Sequence, residues 1–163
     1  MKKEVYNNGY YKVCDENNII SIESLKGGVV IIPITKNKKI ILIKEFRSNI
    51  NEISIEFPRG FVENEESSLE GAKRELFEEI GGIAEEFEVL GSIATNNGIS
   101  NEKVDYYVAW DTTFSYEELQ SEENIIDVVE YSLTELMNLI KESKITDSFT
   151  LCGTLKFLLS MKI

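Results

Sequence analysis

Glu75, Glu78 and Glu79 sit three and four positions apart in the stretch RELFEEIGG, Arg74–Gly82. On an α-helix, residues at i, i+3 and i+4 are surface neighbours, so the three carboxylates share one face. Left bare, that face repels itself. Its place in the last turns also sets negative charge against the helix macrodipole. Local rules tend to be broken where a site requires it. A divalent cation among the oxygens would turn the repulsion into attraction, and hard cations such as Mg²⁺ take carboxylates, waters and substrate phosphates as ligands. Taken alone, the helix also reads as a solvated acidic face on an acidic protein. The surroundings bear on the choice: Gly60 lies six residues before Glu66, and seven residues separate Glu66 from Arg74.

Composition narrows the chemistry further. The chain has 163 residues, 29 acidic against 17 basic, a net charge of −12 and no histidine. A phosphate-backbone binder shows a basic face, so nucleic acid is not expected as a partner. Without histidine, the commonest general base and transition-metal ligand are missing. Catalysis must rest on carboxylates, lysine, arginine, tyrosine or cysteine. Cys14 and Cys152 lie far apart and form no CxxC, which fits reduced thiols in a cytoplasmic protein. The basic start MKK is followed by no apolar run. The longest such run, VVIIPI, is well short of the roughly 20 residues of a membrane helix. No membrane partner is expected.

The elements that would carry these residues follow from periodicity. With no linker or repeat, residues 1–163 read as a single domain. YYKVCD and IISIES are short strands around ENN, within an N-terminal part of 28 residues. Val29–Ile34 and Lys39–Phe46 read as a hairpin about the turn TKNK. ISIEF is a further strand, stopped at Pro58-Arg59-Gly60. Leu69, Ala72, Leu76 and Ile80 recur at helical steps, predicting a helix with one buried stripe. Ser67 and Ser68 can cap its start, and Gly81 with Gly82 its end. FEVLGSIA, KVDYYVAW and NIIDVVEYSL are strands. Ser132 with Glu135 forms a capping box before the helix TELMNLIKES, and TDSFTLCGTLKFLLSMK is a last amphipathic helix. Mixed strands and helices of this order imply an α/β sandwich with a mixed sheet.

Residues 60–82 resemble the Nudix box, G-x5-E-x7-R-E-U-x-E-E-x-G-U, with U a bulky apolar residue. Gly60, Glu66, Arg74, Glu75, Leu76, Glu78, Glu79 and Gly81 match, and Gly82 departs from the last apolar position. The resemblance implies an α/β/α Nudix sandwich. It also implies Mg²⁺- or Mn²⁺-dependent hydrolysis of a nucleoside diphosphate linked to another moiety. Carried over by position, Glu75, Glu78 and Glu79 would be metal ligands, with a backbone carbonyl at Arg59 or Gly60. Glu66 and Arg74 would orient loop and helix by charge-assisted hydrogen bonds.

Most of the chain is similar to the ADP-ribose pyrophosphatase subfamily. VVIIPITKNKKIILIKEFR is similar to its hairpin, IEFPRGFVE to its WELPAGLIE stretch, and NNGISNEKVDYYVAW to its SPGxSxExxxxFxA loop and strand. By that resemblance Arg47 would hold phosphate or orient Glu56, and Glu102 would contact the terminal ribose. Glu122, with Glu123 beside it, would be the general base on a closing loop, with Glu79 as the alternative. Arg59 replaces an alanine and places a charge near the substrate. The subfamily's proline is Asn97 here. ADP-ribose, cleaved to AMP and ribose 5-phosphate, is therefore expected beside another nucleotide-sugar, a dinucleoside polyphosphate or a non-catalytic nucleotide sensor. A homodimer is implied. Tyr6, Tyr10 and Tyr11 are expected to pack, with stacking on a base as the alternative.

Overall fold

The computed structural model describes residues 2–115 and 124–161. Three strands come first: β1 (Lys3–Asn7), β2 (Tyr11–Glu16) and β3 (Ile19–Ser24). They form an antiparallel sheet of their own, in the order β1-β2-β3. Then follow β4 (Gly28–Pro33), β5 (Ile40–Arg47), β6 (Glu52–Glu56), β7 (Arg59–Phe61) and α1 (Ser68–Ile80). The remaining elements are β8 (Glu86–Ala94), β9 (Lys103–Trp110), β10 (Ile125–Tyr131), α2 (Leu133–Lys141) and α3 (Ser148–Ser160). A second sheet has the order β10-β5-β6 and a third the order β7-β4-β9-β8. In the third, β4 runs parallel to β9 and antiparallel to β7, so the sheet is mixed, as its sequence implies.

Alternation along the strands builds the layers. Side chains of a strand point to opposite faces in turn. Val29 and Ile31 of β4 pack with Ile41, Ile43, Tyr107 and Ala109 against Ala72, Leu76 and Ile80 of α1. Val30 and Ile32 pack on the other side with Leu42, Tyr106 and Val108, against Leu136 of α2 and Phe157 of α3. Helices thus cover both faces, and the strands between them are buried on both sides.

That double burial explains one correction. The two apolar runs flanking TKNK are not a continuous hairpin. Only an isolated bridge, Ile34 to Ile40, joins them beyond the turn, and β4 and β5 then part into different sheets. All of β4 and the Ile40–Ile43 half of β5 are buried on both faces, so each strand becomes the middle of its own sheet, flanked on both edges. A second correction concerns Pro58-Arg59-Gly60. The chain does not simply stop there, since Arg59–Phe61 pairs with β4, Val30 facing Arg59 and Val29 facing Gly60. Pro58 stands just before the strand, where a missing N–H costs no ladder bond, and its carbonyl accepts from the Ile31 N–H at 2.8 Å. In the N-terminal part, β1 precedes the two expected strands and pairs antiparallel with β2.

The α1 ends follow their chemistry. Ser67 accepts from the Glu70 N–H while Glu70 reaches back to the Ser67 N–H, a full capping box. Gly81 takes the left-handed φ of 59°; its N–H bonds to the Phe77 carbonyl at 2.8 Å, and the Gly82 N–H to that of Leu76 at 3.0 Å. Gly82 fills the box position where an apolar residue is usual. A Cβ there would lie 2.8 Å from Ile80 and 2.9 Å from Leu76, so the two core side chains already occupy that space. The buried stripe differs from expectation at one end: Leu69 is exposed, and Gly71, Ala72, Leu76 and Ile80 are buried together with Glu75 and Glu79. No helix among the described residues is long and apolar enough to cross a membrane.

Candidate active site

The acidic face of α1 is turned toward β7 rather than toward open water. Glu75 and Glu79 are 8% and 3% exposed. The Arg59 backbone N–H donates to Glu79 Oε2 at 3.0 Å. Gly60 lies directly against Glu75, and a methyl group on Gly60 would overlap that carboxylate. Glycine at this box position is thus required by close approach between strand and helix.

Arg74 organises the carboxylates. Its Nε and Nη2 donate to the two oxygens of Glu66, each at 3.0 Å. Nη2 also donates to the Phe61 carbonyl at 2.7 Å, while Nη1 reaches Glu75 at 2.7 Å and Glu78 at 2.8 Å. A planar guanidinium can make such a bidentate contact and still reach other acceptors. Hydrogen bonding to Arg74 holds Glu66 below the usual carboxylate range. The hydrogen bonds it donates to Glu66 first, then to Glu75 and Glu78, raise Arg74. Glu66 further accepts from the Glu63 N–H at 2.9 Å, so the loop before α1 is tied to the helix through one ion pair.

A hard divalent cation suits this donor set. Three carboxylates share one face of α1, and the Glu75 carboxylate fills the space over Gly60, where no other side chain intervenes. Glu75 and Glu78 are held by Arg74 and Glu79 by the Arg59 N–H. Among the described residues no three acidic side chains already meet around a single point.

A second charged cluster adjoins the first. Glu56 ends β6 and is 2% exposed. Arg47 Nε donates to Glu56 Oε1 at 3.0 Å and Nη2 to Oε2 at 2.6 Å; Arg59 Nε and Nη2 reach the same Oε2 at 3.1 and 3.0 Å. Burial alone would raise the Glu56 carboxyl, but hydrogen bonding to Arg47 and the charge of Arg59 lower it overall. Arg47 also pairs with Glu45 at 2.8 Å. Of the two roles expected for Arg47, contact with Glu56 is the one its geometry displays.

Glu102 accepts from the Tyr11 hydroxyl and from Thr95, both at 2.7 Å. Burial, then the Glu102 carboxylate, raises the Tyr11 hydroxyl well above its ordinary value. Tyr10 and Tyr11 both pack on Phe61, with ring centroids 5.0 and 5.6 Å away, so the first sheet is docked beside Gly60. Tyr6 is exposed. Asn97 lies in a turn whose closing bonds run to the Asn96 carbonyl.

Two cavities open over these groups. One of about 510 Å³ is lined by Arg47, Glu56, Arg59, Asn124 and Asp147 among others. Another of about 280 Å³ is lined by Tyr11, Arg59, Gly60, Phe61, Glu102 and Phe149. The structure therefore gathers Gly60, Glu66, Arg74, Glu75, Glu78 and Glu79 about one helix face, and Arg47, Glu56 and Arg59 next to it, with Glu102 across the smaller cavity. Glu122 and Glu123 lie outside the described residues. Asp147 and Phe149, at the start of α3, were not among the expected site residues. The ITDSFT stretch marked a helix start, but nothing local tells that it lines the same cleft.

Residues 25–150 match the NUDIX domain family model. A methanol dehydrogenase activator of Bacillus methanolicus is 35% identical over 127 residues, covering 76% of this chain and 68% of the relative. An ADP-ribose pyrophosphatase of Bacillus subtilis (strain 168) is 28% identical over 125 residues, covering 76% and 68%. Among solved structures, one described as an ADP compounds hydrolase superposes with a TM-score of 0.80 at 21% identity, covering 98% of this chain and 90% of that one.

Proposed function

Since this chain belongs to the Nudix family and is a pyrophosphohydrolase of that family, we propose that it cleaves ADP-ribose to AMP and ribose 5-phosphate with Mg²⁺ or Mn²⁺ bound. The observation that carries the reading is the seat of the box glutamates. Glu75 lies against Gly60 and Glu79 on the Arg59 N–H; Arg59 in turn lines both cavities, and Gly60 the smaller one. Similarity to an ADP-ribose pyrophosphatase over 76% of the chain supports the substrate.

Glu75, Glu78, Glu79 and the Gly60 carbonyl would hold the cation. When bound, such a cation offsets phosphate charge, polarises a P–O bond and lowers the pKa of water. The remaining work belongs to the chain itself. Arg74 and Glu66 keep the loop and α1 in register, so the three glutamates face the strand. Arg47 and Arg59, both fixed on Glu56, present guanidinium edges toward the pyrophosphate. Glu102, held by Tyr11 and Thr95, accepts from a sugar hydroxyl. A carboxylate takes the proton from water as its oxygen attacks phosphorus and the bridging P–O bond breaks; Glu122, Glu123 and Glu79 are the candidates.

A panel of ADP-ribose, ADP-linked sugars and dinucleotides with Mg²⁺ tests this, read as phosphomonoester released to a coupled phosphatase. ADP-ribose is expected to be turned over and EDTA to abolish the signal. Tight nucleotide binding with no turnover of any compound would replace the enzyme by a sensor.

A further inference from the structure

Arg59 opens β7, the strand that pairs with β4 and lies against α1. Its side chain lines both cavities of the cleft. It is held on three sides. Nε and Nη2 donate to Glu56, Asp147 lies 3.9 Å from Nη2, and the guanidinium carbon stands 4.4 Å from the centre of the Phe149 ring. Glu56 is itself locked from the far side by Arg47. Arg59 cannot swing away without leaving a buried carboxylate short of one partner and an aromatic face bare. A buried pair of this sort resists opening, because the group left behind loses its compensation.

We propose that Arg59, stacked on Phe149, is a divider that sets substrate size: it splits the cleft into two chambers and admits only a compound small enough to lie with one half on each side. This rests on the hydrolase reading above. Ligand pockets typically measure roughly 300–1,000 Å³; the smaller chamber, at about 280 Å³, falls just below that range, and the larger, at about 510 Å³, in its lower half. Alanine at position 59 would remove the wall and join the chambers. The discrimination is steric, because the two ligands compared below present the same pyrophosphate to the Arg59 charge.

Calorimetry on the full chain in EDTA tests this with two ligands that share one pyrophosphate. ADP-ribose carries a ribose on the second phosphate, and diadenosine diphosphate carries a second adenosine. Wild type is expected to bind ADP-ribose at least tenfold more tightly. Arg59→Ala is expected to bring the two affinities within about threefold, the smaller compound losing more than the larger one. Arg59→Met keeps bulk over Phe149 without charge and is expected to keep the preference. Glu56 retains Arg47 in both variants, and their melting temperatures report folding. An unmoved ratio in Arg59→Ala, an equal loss for both ligands, or loss of the preference in Arg59→Met would each overturn the divider. If wild type binds neither ligand, with or without Mg²⁺, the hydrolase reading fails and the divider with it.

Discussion

Glu56 joins two arginines of the cleft, and its environment makes a pH prediction. Its carboxyl is nearly fully buried, which favours the neutral form, yet hydrogen bonding to Arg47 and the charge of Arg59 lower its pKa below the ordinary 4.5. A group with a lowered folded pKa adds stability that is complete above the unfolded value and is lost as pH falls through the folded one. The wild type should therefore exceed Glu56→Gln in stability at neutral pH. The gap should close as pH falls below about 4.5. At neutral pH it should fall short of the roughly 3–5 kcal/mol lost on breaking fully buried pairs, because Arg47 and Arg59 are 30% and 25% exposed. Urea titrations of both proteins across that range check this, and a gap independent of pH would refute it. At this scale the box was readable because its residues lie on one helix and the loop before it, where spacing alone sets which side chains meet. Asp147 and Phe149 could not be read that way. They reach Arg59 only because α3 packs back on β4, a contact with no local signature.

The helix that carries the glutamates owes its C-terminal geometry to one residue. Gly81 is left-handed at φ 59°, and its N–H and that of Gly82 close the last turn on Phe77 and Leu76. A side chain in that conformation costs about 1–2 kcal/mol. Gly81→Ala should lower the melting temperature by about 2–8 °C in a chain of this size. Glu78 and Glu79 sit in the turn that would loosen, whereas Glu66 and Arg74 are paired further up. Activity should accordingly fall more than stability at 25 °C implies. Thermal melts with steady-state kinetics decide it, and normal turnover in a less stable variant would separate the cap from the site. Helix ends were legible because caps are local: Ser67, Gly81 and the Ser132–Glu135 box all stand where the sequence puts them. Strand partners were not. VVIIPI and IILIKEF look like a hairpin because a turn separates them, but their apolar residues occupy both faces, and only the packing of α1 on one side and α2 and α3 on the other tells the two strands to part.

For the molecule as a whole, the net charge of −12 must be reconciled with an anionic substrate, and bound cations are the physical route. Net charge far from zero opposes the compact state through self-repulsion. Any ion raises stability by screening, but a specific site adds a term that saturates: a ligand bound only by the folded chain contributes about 2.7 kcal/mol at one hundred times its dissociation constant. For a chain of this length that corresponds to about 5–10 °C. Mg²⁺ should therefore raise the melting temperature of wild type to a plateau. Glu79→Gln removes a carboxylate that is 3% exposed at the strand–helix contact and should show only the smaller rise that NaCl of equal ionic strength produces in both proteins. The comparison separates a site from an atmosphere, since screening acts on the summed charge of the chain and one glutamate changes that sum little. Equal rises in the two proteins would mean that the glutamate face is a solvated acidic surface and that the cation belongs elsewhere. A plateau lost with Glu79 would tie the charge of the molecule, the end of α1 and the chemistry of the cleft to one bound ion.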